Sequence, residues 1–415
     1  MGSSLYSFIY NAKISVGANN RGARHVLGET MSADLRPKIR FDRNELAGAF
    51  GDLGTDVPLL IGLAIAAQLD GASVLIMFGA MQVITGLAYR MPMPVQPLKA
   101  MAAIVIAQQT DASILYGAGL AIGITMLILA STGLLAWLGR VIPKPVVRGI
   151  QFGLGLQLAS IALQNYVRAE GVIGYALAGL AFAIVVLLLG NRRFPAALPV
   201  VGLGLAYAAF RIEPSALTNS LGIHLPTPHI PRLSDIATGF LLLALPQIPL
   251  SLGNSVLATH QLSKDLFPER DLSIRKIGFT YAAMNLINPW LGGIPTCHGS
   301  GGMAGHYAFG GRTGGSVIIY GLLFVALGVF VGPAFDHIVK AFPLPILGVL
   351  LLFEALALVR LIRDTAQSSS DLPVAMLVGL LCVGLPYGYL IGMVVGTALV
   401  WLGTRAKLVS TDDVT

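Results

Sequence analysis

The sequence predicts an all-α polytopic membrane protein of about fourteen helices, arranged as two inverted halves of seven. Three observations predict it. Hydrophobic residues make up 55% of the 415-residue chain and charged residues only 11%, against about one quarter charged in soluble domains. Apolar stretches of about 15 to 25 residues recur along the chain, the length that crosses a hydrocarbon layer of about 30 Å. Finally, IPKPVVRGIQFGLGLQLA at 142–159 recurs in altered form as FPLPILGVLLLFEALALV at 342–359, an offset of 200 residues that superposes Pro143 and Pro145 on Pro343 and Pro345.

Taken in order, the apolar pattern places helices near 45–67, 72–89, 97–109, 113–138, 145–163, 171–189, 196–210, 238–259, 274–290, 299–308, 315–335, 344–361, 372–385 and 387–403. The third and tenth are too short to span the bilayer alone and so are half-helices. Both follow extended Pro/Gly-rich stretches, MPMPVQP at 91–97 and GGIPTCHGSGG at 292–302. Seven helices per half is odd, so the halves must have opposite orientation, the arrangement in which discontinuous helices build a site near the midplane. The expected divisions are a tail at 1–42, a first repeat at 43–210, an extracytoplasmic linker at 211–237, a second repeat at 238–403 and a tail at 404–415. The first tail is polar and lacks a signal-peptide core; Met31 opens a more ordinary start, so residues 1–30 read as an extension.

The net charge of +7 reflects membrane orientation rather than nucleic-acid binding, because no basic stripe interleaves with aromatics. With the N-terminus inside, Arg90, Arg140, Lys144, Arg148, Arg192, Arg193, Lys264, Arg270, Arg275, Lys276, Arg312, Arg360, Arg363, Arg405 and Lys407 all fall inside. Only Arg168, Arg211, Arg232 and Lys340 fall outside. That asymmetry follows the positive-inside rule and puts both termini in the cytoplasm. The two cysteines, Cys297 and Cys382, lie far apart in apolar surroundings and argue for no disulfide framework and no metal site.

The two broken segments carry the functional reading. Non-helical backbone at membrane depth survives only where it is buried in protein or lines a cavity. A helix that begins there aims unpaired amides into the gap, and two such ends facing each other suit an anion. Gln96 and Pro97 precede one short helix. Thr296, Cys297, His298, Gly299, Ser300 and Gly301 lead into the other, with the glycines permitting close approach and the hydroxyls donating. The plainer reading is that Pro and Gly merely kink two packed helices.

Lys99 is an intramembrane cation that needs a partner: either the substrate itself, or Asp52 or Asp56, four residues apart on one face of the first helix. Those acids carry protons or form salt bridges, whereas Glu45 reads as a helix-start residue. Glu354 is a further intramembrane acid with no evident partner in sequence. In the eighth helix Gln247, Ser251 and Asn254 form a polar stripe that either glues helices or lines the site. Two enzyme readings fall away. The acidic pair has no second cluster to complete a diphosphate-binding Mg²⁺ site, and GSGGMAG at 299–305 lacks the strand and the Lys-Ser/Thr of a nucleotide loop.

At these residues the chain resembles a known family, the molybdate transporters of plants, algae and bacteria, distant relatives of the sulfate permeases. The resemblance rests on ELAGAFGDLGTDVP at 45–58, PMPVQPLKA at 92–100, PQIPLSLGNSVLAT at 246–259 and NPWLGGIPTCHGSGGMAGHYAFGGRTGGS at 288–316, and it spans 43–403 in order. It implies uptake of molybdate, with sulfate the nearest competitor. It also implies the seven-plus-seven fold shared with the sulfate permeases and nucleobase symporters, with a core domain (43–140 and 238–337) moving like an elevator against a gate domain (141–210 and 338–403). The substrate is then expected near Gln96, Pro97, Cys297, His298, Gly299 and Ser300, in a homodimer of the plasma or bacterial inner membrane. Ser251 departs from the pattern, standing where threonine is expected. No cofactor or resident metal is implied, since the metal is in the substrate.

Overall fold

The computed structural model describes residues 38–188, 196–213, 215, 218, 220–368 and 370–411. The N-terminal extension and its candidate start at Met31, together with Arg192, Arg193 and residues 412–415, lie outside the described residues.

Where one helix was expected over 45–67, there are two: α1 (Arg43–Ala49) and α2 (Leu53–Ala67). Asp42 caps α1 by accepting from the amides of Asn44 and Glu45 at 2.9 and 3.1 Å, and the chain turns before α2 begins. α3 (Gly71–Tyr89) starts at Asp70, whose carboxylate accepts from the Ser73 amide, and stops at Arg90 in the left-handed conformation. The prolines at 92, 94 and 97 then deny the chain the amide donors of a helix, and Val95–Pro97 form strand β1. After it come α4 (Lys99–Gln108), α5 (Ala112–Thr132) and α6 (Leu134–Val141). The single helix expected at 113–138 is divided at Gly133, which adopts a positive φ of 76°. α7 (Lys144–Ile161), α8 (Gly171–Leu188) and α9 (Ala197–Arg211) follow, with Pro145 in the first turn of α7, where its missing amide costs nothing.

From 233 to 266 the chain forms one long span, alternating between α10 (Leu233–Gly239), a π-helical turn, α11 (Leu245–Leu250), a longer π-helical stretch at Ser251–Ala258, and α12 (Thr259–Leu266). The widened stretch follows directly on Pro246 and Pro249, whose missing donors interrupt the regular ladder. Then come α13 (Ile274–Ile287), strand β2 (Thr296–His298), α14 (Ser300–Ala308), α15 (Gly315–Ala341), α16 (Leu344–Arg360), α17 (Asp371–Gly384) and α18 (Gly388–Thr411). α15 is kinked at Val331, two residues before Pro333. α18 runs through most of the residues expected as a C-terminal tail.

Among the described residues, seven helices are long and apolar enough to cross a membrane. Shorter apolar helices, α4 among them, accompany these; ten residues give α4 a length of about 15 Å, half the hydrocarbon layer. The densest packing joins α3 to α15, α5 to α10 and α13, and α7 to α16 and α17.

The all-helical expectation is corrected at one place. β1 and β2 pair antiparallel, Val95 opposite His298, Gln96 opposite Cys297 and Pro97 opposite Thr296. Extended backbone buried in an apolar interior must find partners, and a two-stranded ribbon still leaves two outer edges open. Carboxamides close them. Gln82 of α3 donates to the Val95 carbonyl at 2.7 Å and accepts from its amide at 2.8 Å. Asn285 of α13 does the same for Thr296, at 2.6 and 3.0 Å. At the rim, the buried Glu45 accepts from the amides of Arg312, Thr313 and Ser316 at 2.9–3.0 Å, which ties α1 to the start of α15.

Candidate functional site

The ribbon delivers both short helices to one cavity of about 260 Å³. Gln96 and Lys99 line it from the first segment and Cys297, His298, Gly299, Ser300 and Gly301 from the second. Gln247 and Asn254 come from the long span, and Glu354 comes from α16. Ten of the residues singled out in sequence therefore meet in one place. The volume is many times the roughly 10–15 Å³ that admits one water, so a tetrahedral oxyanion fits together with solvent.

Pro97 and Thr296 lie behind the wall, within the ribbon. The Thr296 hydroxyl accepts from Asn288 Nδ2 at 3.3 Å, and Thr296 is not part of the cavity lining. Asp52 is also a layer back. Gln96 Nε2 donates to both of its oxygens at 2.7 Å, so its close partner is Gln96, and of the alternatives left open by the sequence an Asp52–Lys99 ion pair is not formed. Asp56 is fully buried, receives the Tyr320 hydroxyl at 3.1 Å on Oδ2, and leaves Oδ1 without a partner.

The two helix starts differ. At α4 the amides of Ala100 and Met101 donate to Gln247 Oε1 at 2.9 and 3.3 Å. The expectation that both ends are bare is corrected here: a side-chain carbonyl from the long span holds the place of an anion oxygen. Gln247 Nε2 is spent on Ser251 Oγ, which also meets Tyr281 OH at 2.7 Å. Thus Gln247 and Ser251 of the polar stripe bind protein, while Asn254 faces the cavity.

At α14 no side chain caps the helix. Met303 donates to the Gly299 carbonyl at 3.0 Å, and the amides of Ser300, Gly301 and Gly302 have no acceptor among the described residues. Close packing forces glycine here: a Cβ on Gly299 would lie 1.7 Å from Gln96 Oε1, and one on Gly302 would lie 2.1 Å from Asp52 Oδ2.

Lys99 projects from the first turn of α4 into the cavity. Among the described residues no carboxylate oxygen lies within the 4.0 Å of an ion pair. Its electrostatic neighbours are Glu354, Asp52, Cys297 and Asp56. Glu354 lines the same cavity, with Lys99 and Thr55 as its electrostatic neighbours. His298 is held through Nε2 by the Thr280 hydroxyl at 2.7 Å, with the Tyr89 ring edge-on to it. These supports were not identified from sequence, although Gln82 and Asn285, polar residues on otherwise apolar helices, gave a readable signal.

Sequence comparison gives the lineage. A profile described as "Molybdate transporter of MFS superfamily" matches residues 44–158 and 239–358. Molybdate transporter 2 of Arabidopsis thaliana is 37% identical over 80% of this chain and 82% of its own length. Molybdate transporter 1 of the same plant is 36% identical over 77% and 80%, and Molybdate transporter 1 of Chlamydomonas reinhardtii is 28% identical over 85% and 90%. Among solved structures, the transmembrane domain of the cyanobacterial bicarbonate transporter BicA superposes with a TM-score of 0.65 at 15% identity, covering 85% of this chain and 97% of that domain. Murine Slc26a9, an anion transporter in the inward-facing state, gives 0.66 at 12% identity, covering 96% and 75%. Those two likenesses establish the fold; the profile and the plant relatives establish the lineage, and the chain belongs to the molybdate transporter family.

Proposed function

We propose that this protein is a secondary transporter that carries molybdate across a membrane, holding the dianion between the starts of α4 and α14. The observation that carries the reading is a cavity lined by Ser300 and Gly301, whose amides, with that of Gly302 just behind them, have no acceptor among the described residues, opposite a lysine with no carboxylate at ion-pair distance among them. Helix amide ends and one cation offset the desolvation of a small anion without a metal or a nucleotide. The plant relatives' names supply molybdate as the first candidate.

The seven-plus-seven arrangement with half-helices α4 and α14 belongs to this proposal. Three features support it: the sequence repeat, the matched carboxamide clamps at Gln82 and Asn285, and the antiparallel ribbon that relates the two short segments. In this reading α1–α6 and α10–α15 form a core that carries the anion past a gate of α7–α9 and α16–α18. Gly301, Ala304 and Ala308 are exposed on one side of α14, and the cavity reaches Leu361, which the charge asymmetry places on the cytoplasmic side. The conformation is accordingly read as inward-open. Asp52, next to the bare helix start, is the candidate for ion coupling. A homodimeric assembly in the plasma or inner membrane completes the proposal.

Purified protein in liposomes tests it. Labelled molybdate should accumulate, and excess sulfate should compete more weakly than excess unlabelled molybdate. Uptake of sulfate with indifference to molybdate would replace the substrate, and single-channel currents would replace the mechanism.

A further inference from the structure

The sequence leaves Glu354 without a partner, and the structure supplies one. Glu354 is on α16 and Lys99 on α4, elements that belong to different halves of the chain and, in the reading above, to gate and core. Both line the same cavity. Neither forms a close ion pair among the described residues, so each looks across the space that an anion would fill.

We propose that Glu354 is the stationary counter-charge of Lys99 in the empty carrier, and that anion binding releases Lys99 from it, so that the core moves more readily loaded than empty. A lysine drawn through a low-dielectric interior needs a negative partner. Among the described gate residues that line the cavity, the carboxylate is that of Glu354, which also has Thr55 beside it. Moving the core alone separates the two opposite charges, which is unfavourable. A bound dianion supplies Lys99 with a partner that travels with it, and the pull of Glu354 is then opposed by repulsion from the anion. The carboxylate thus discriminates between occupied and unoccupied cores without touching the substrate tightly.

This inference rests on the transport reading, and one experiment separates the two. Liposomes carrying the wild-type protein are assayed for labelled molybdate entry with and without unlabelled molybdate inside. Exchange needs only the loaded core to move, whereas net uptake requires the empty core to return. The wild type should exchange about tenfold faster than it takes up net substrate, and Glu354→Gln should bring that ratio down to near one. Glu354→Asp, which keeps the charge, should keep most of the ratio and serves if the glutamine variant is not recovered folded. A wild type that transports molybdate with no advantage for exchange overturns the inference, as does a Glu354→Gln variant with the wild-type ratio. A wild type that moves no molybdate overturns the transport reading instead.

Discussion

The starts of α4 and α14 look onto one cavity and each follows a strand of the same antiparallel ribbon, yet their first turns are completed differently. At α4 the carbonyl of Gln247 takes the amides of Ala100 and Met101, and the helix contributes a charge, Lys99. At α14 the amides stay open, and a carboxylate, Asp52, is held a layer back by Gln96. The difference teaches that two helix ends opening onto one cavity need not share one task. One presents a cation on a capped end, and the other presents uncapped backbone donors.

Several substitutions break or sharpen this contrast. The largest effect is expected from Gly299→Ala, because the added carbon collides with Gln96 Oε1 and displaces the open helix start. Misplacement by about 1 Å costs on the order of a hundredfold in rate, so molybdate uptake per molecule at the membrane should fall by about that factor. Next is Lys99→Met, which removes the cation from the other side and should raise the KM for molybdate about tenfold. An unchanged KM would mean that the lysine does not face the anion. Gln247→Ala strips a cap already spent on protein. It should lower stability by about 1 kcal/mol, read as the denaturation midpoint in detergent, and shift molybdate affinity by no more than about threefold. Glu45→Gln lies outside the site: loss of a carboxylate from three amides should cost about 2 kcal/mol of stability, with uptake per folded molecule unchanged.

The contrast also marks where reading the sequence succeeds and where it stops. Pro and Gly in 91–97 and 292–302 advertise breaks in the helical pattern, because they remove donors or relax the backbone locally, and that information is written in the segment itself. So is the cost of an intramembrane lysine. What the segments pair with is not local. The ribbon between Val95–Pro97 and Thr296–His298 joins residues about 200 apart, and nothing in either stretch names the other as its partner. Gln247 was legible as polar and as lying on a stripe with Ser251 and Asn254. Its carbonyl meets α4 because the long span passes that helix end, a relation that nothing in its own segment states. Glu354 illustrates the same limit, since its partner lies on another helix across an open space.

The most direct measurement is X-ray anomalous scattering at the molybdenum edge from crystals of the purified protein grown with molybdate. The account predicts one strong peak between Lys99 and the start of α14, with molybdate oxygens about 3 Å from the amide nitrogens of Ser300, Gly301 and Gly302. A peak elsewhere, for example in the separate hollow bordered by Asp70, Asp336 and Lys340, or a fully loaded transporter with those three amides facing only water, would contradict it.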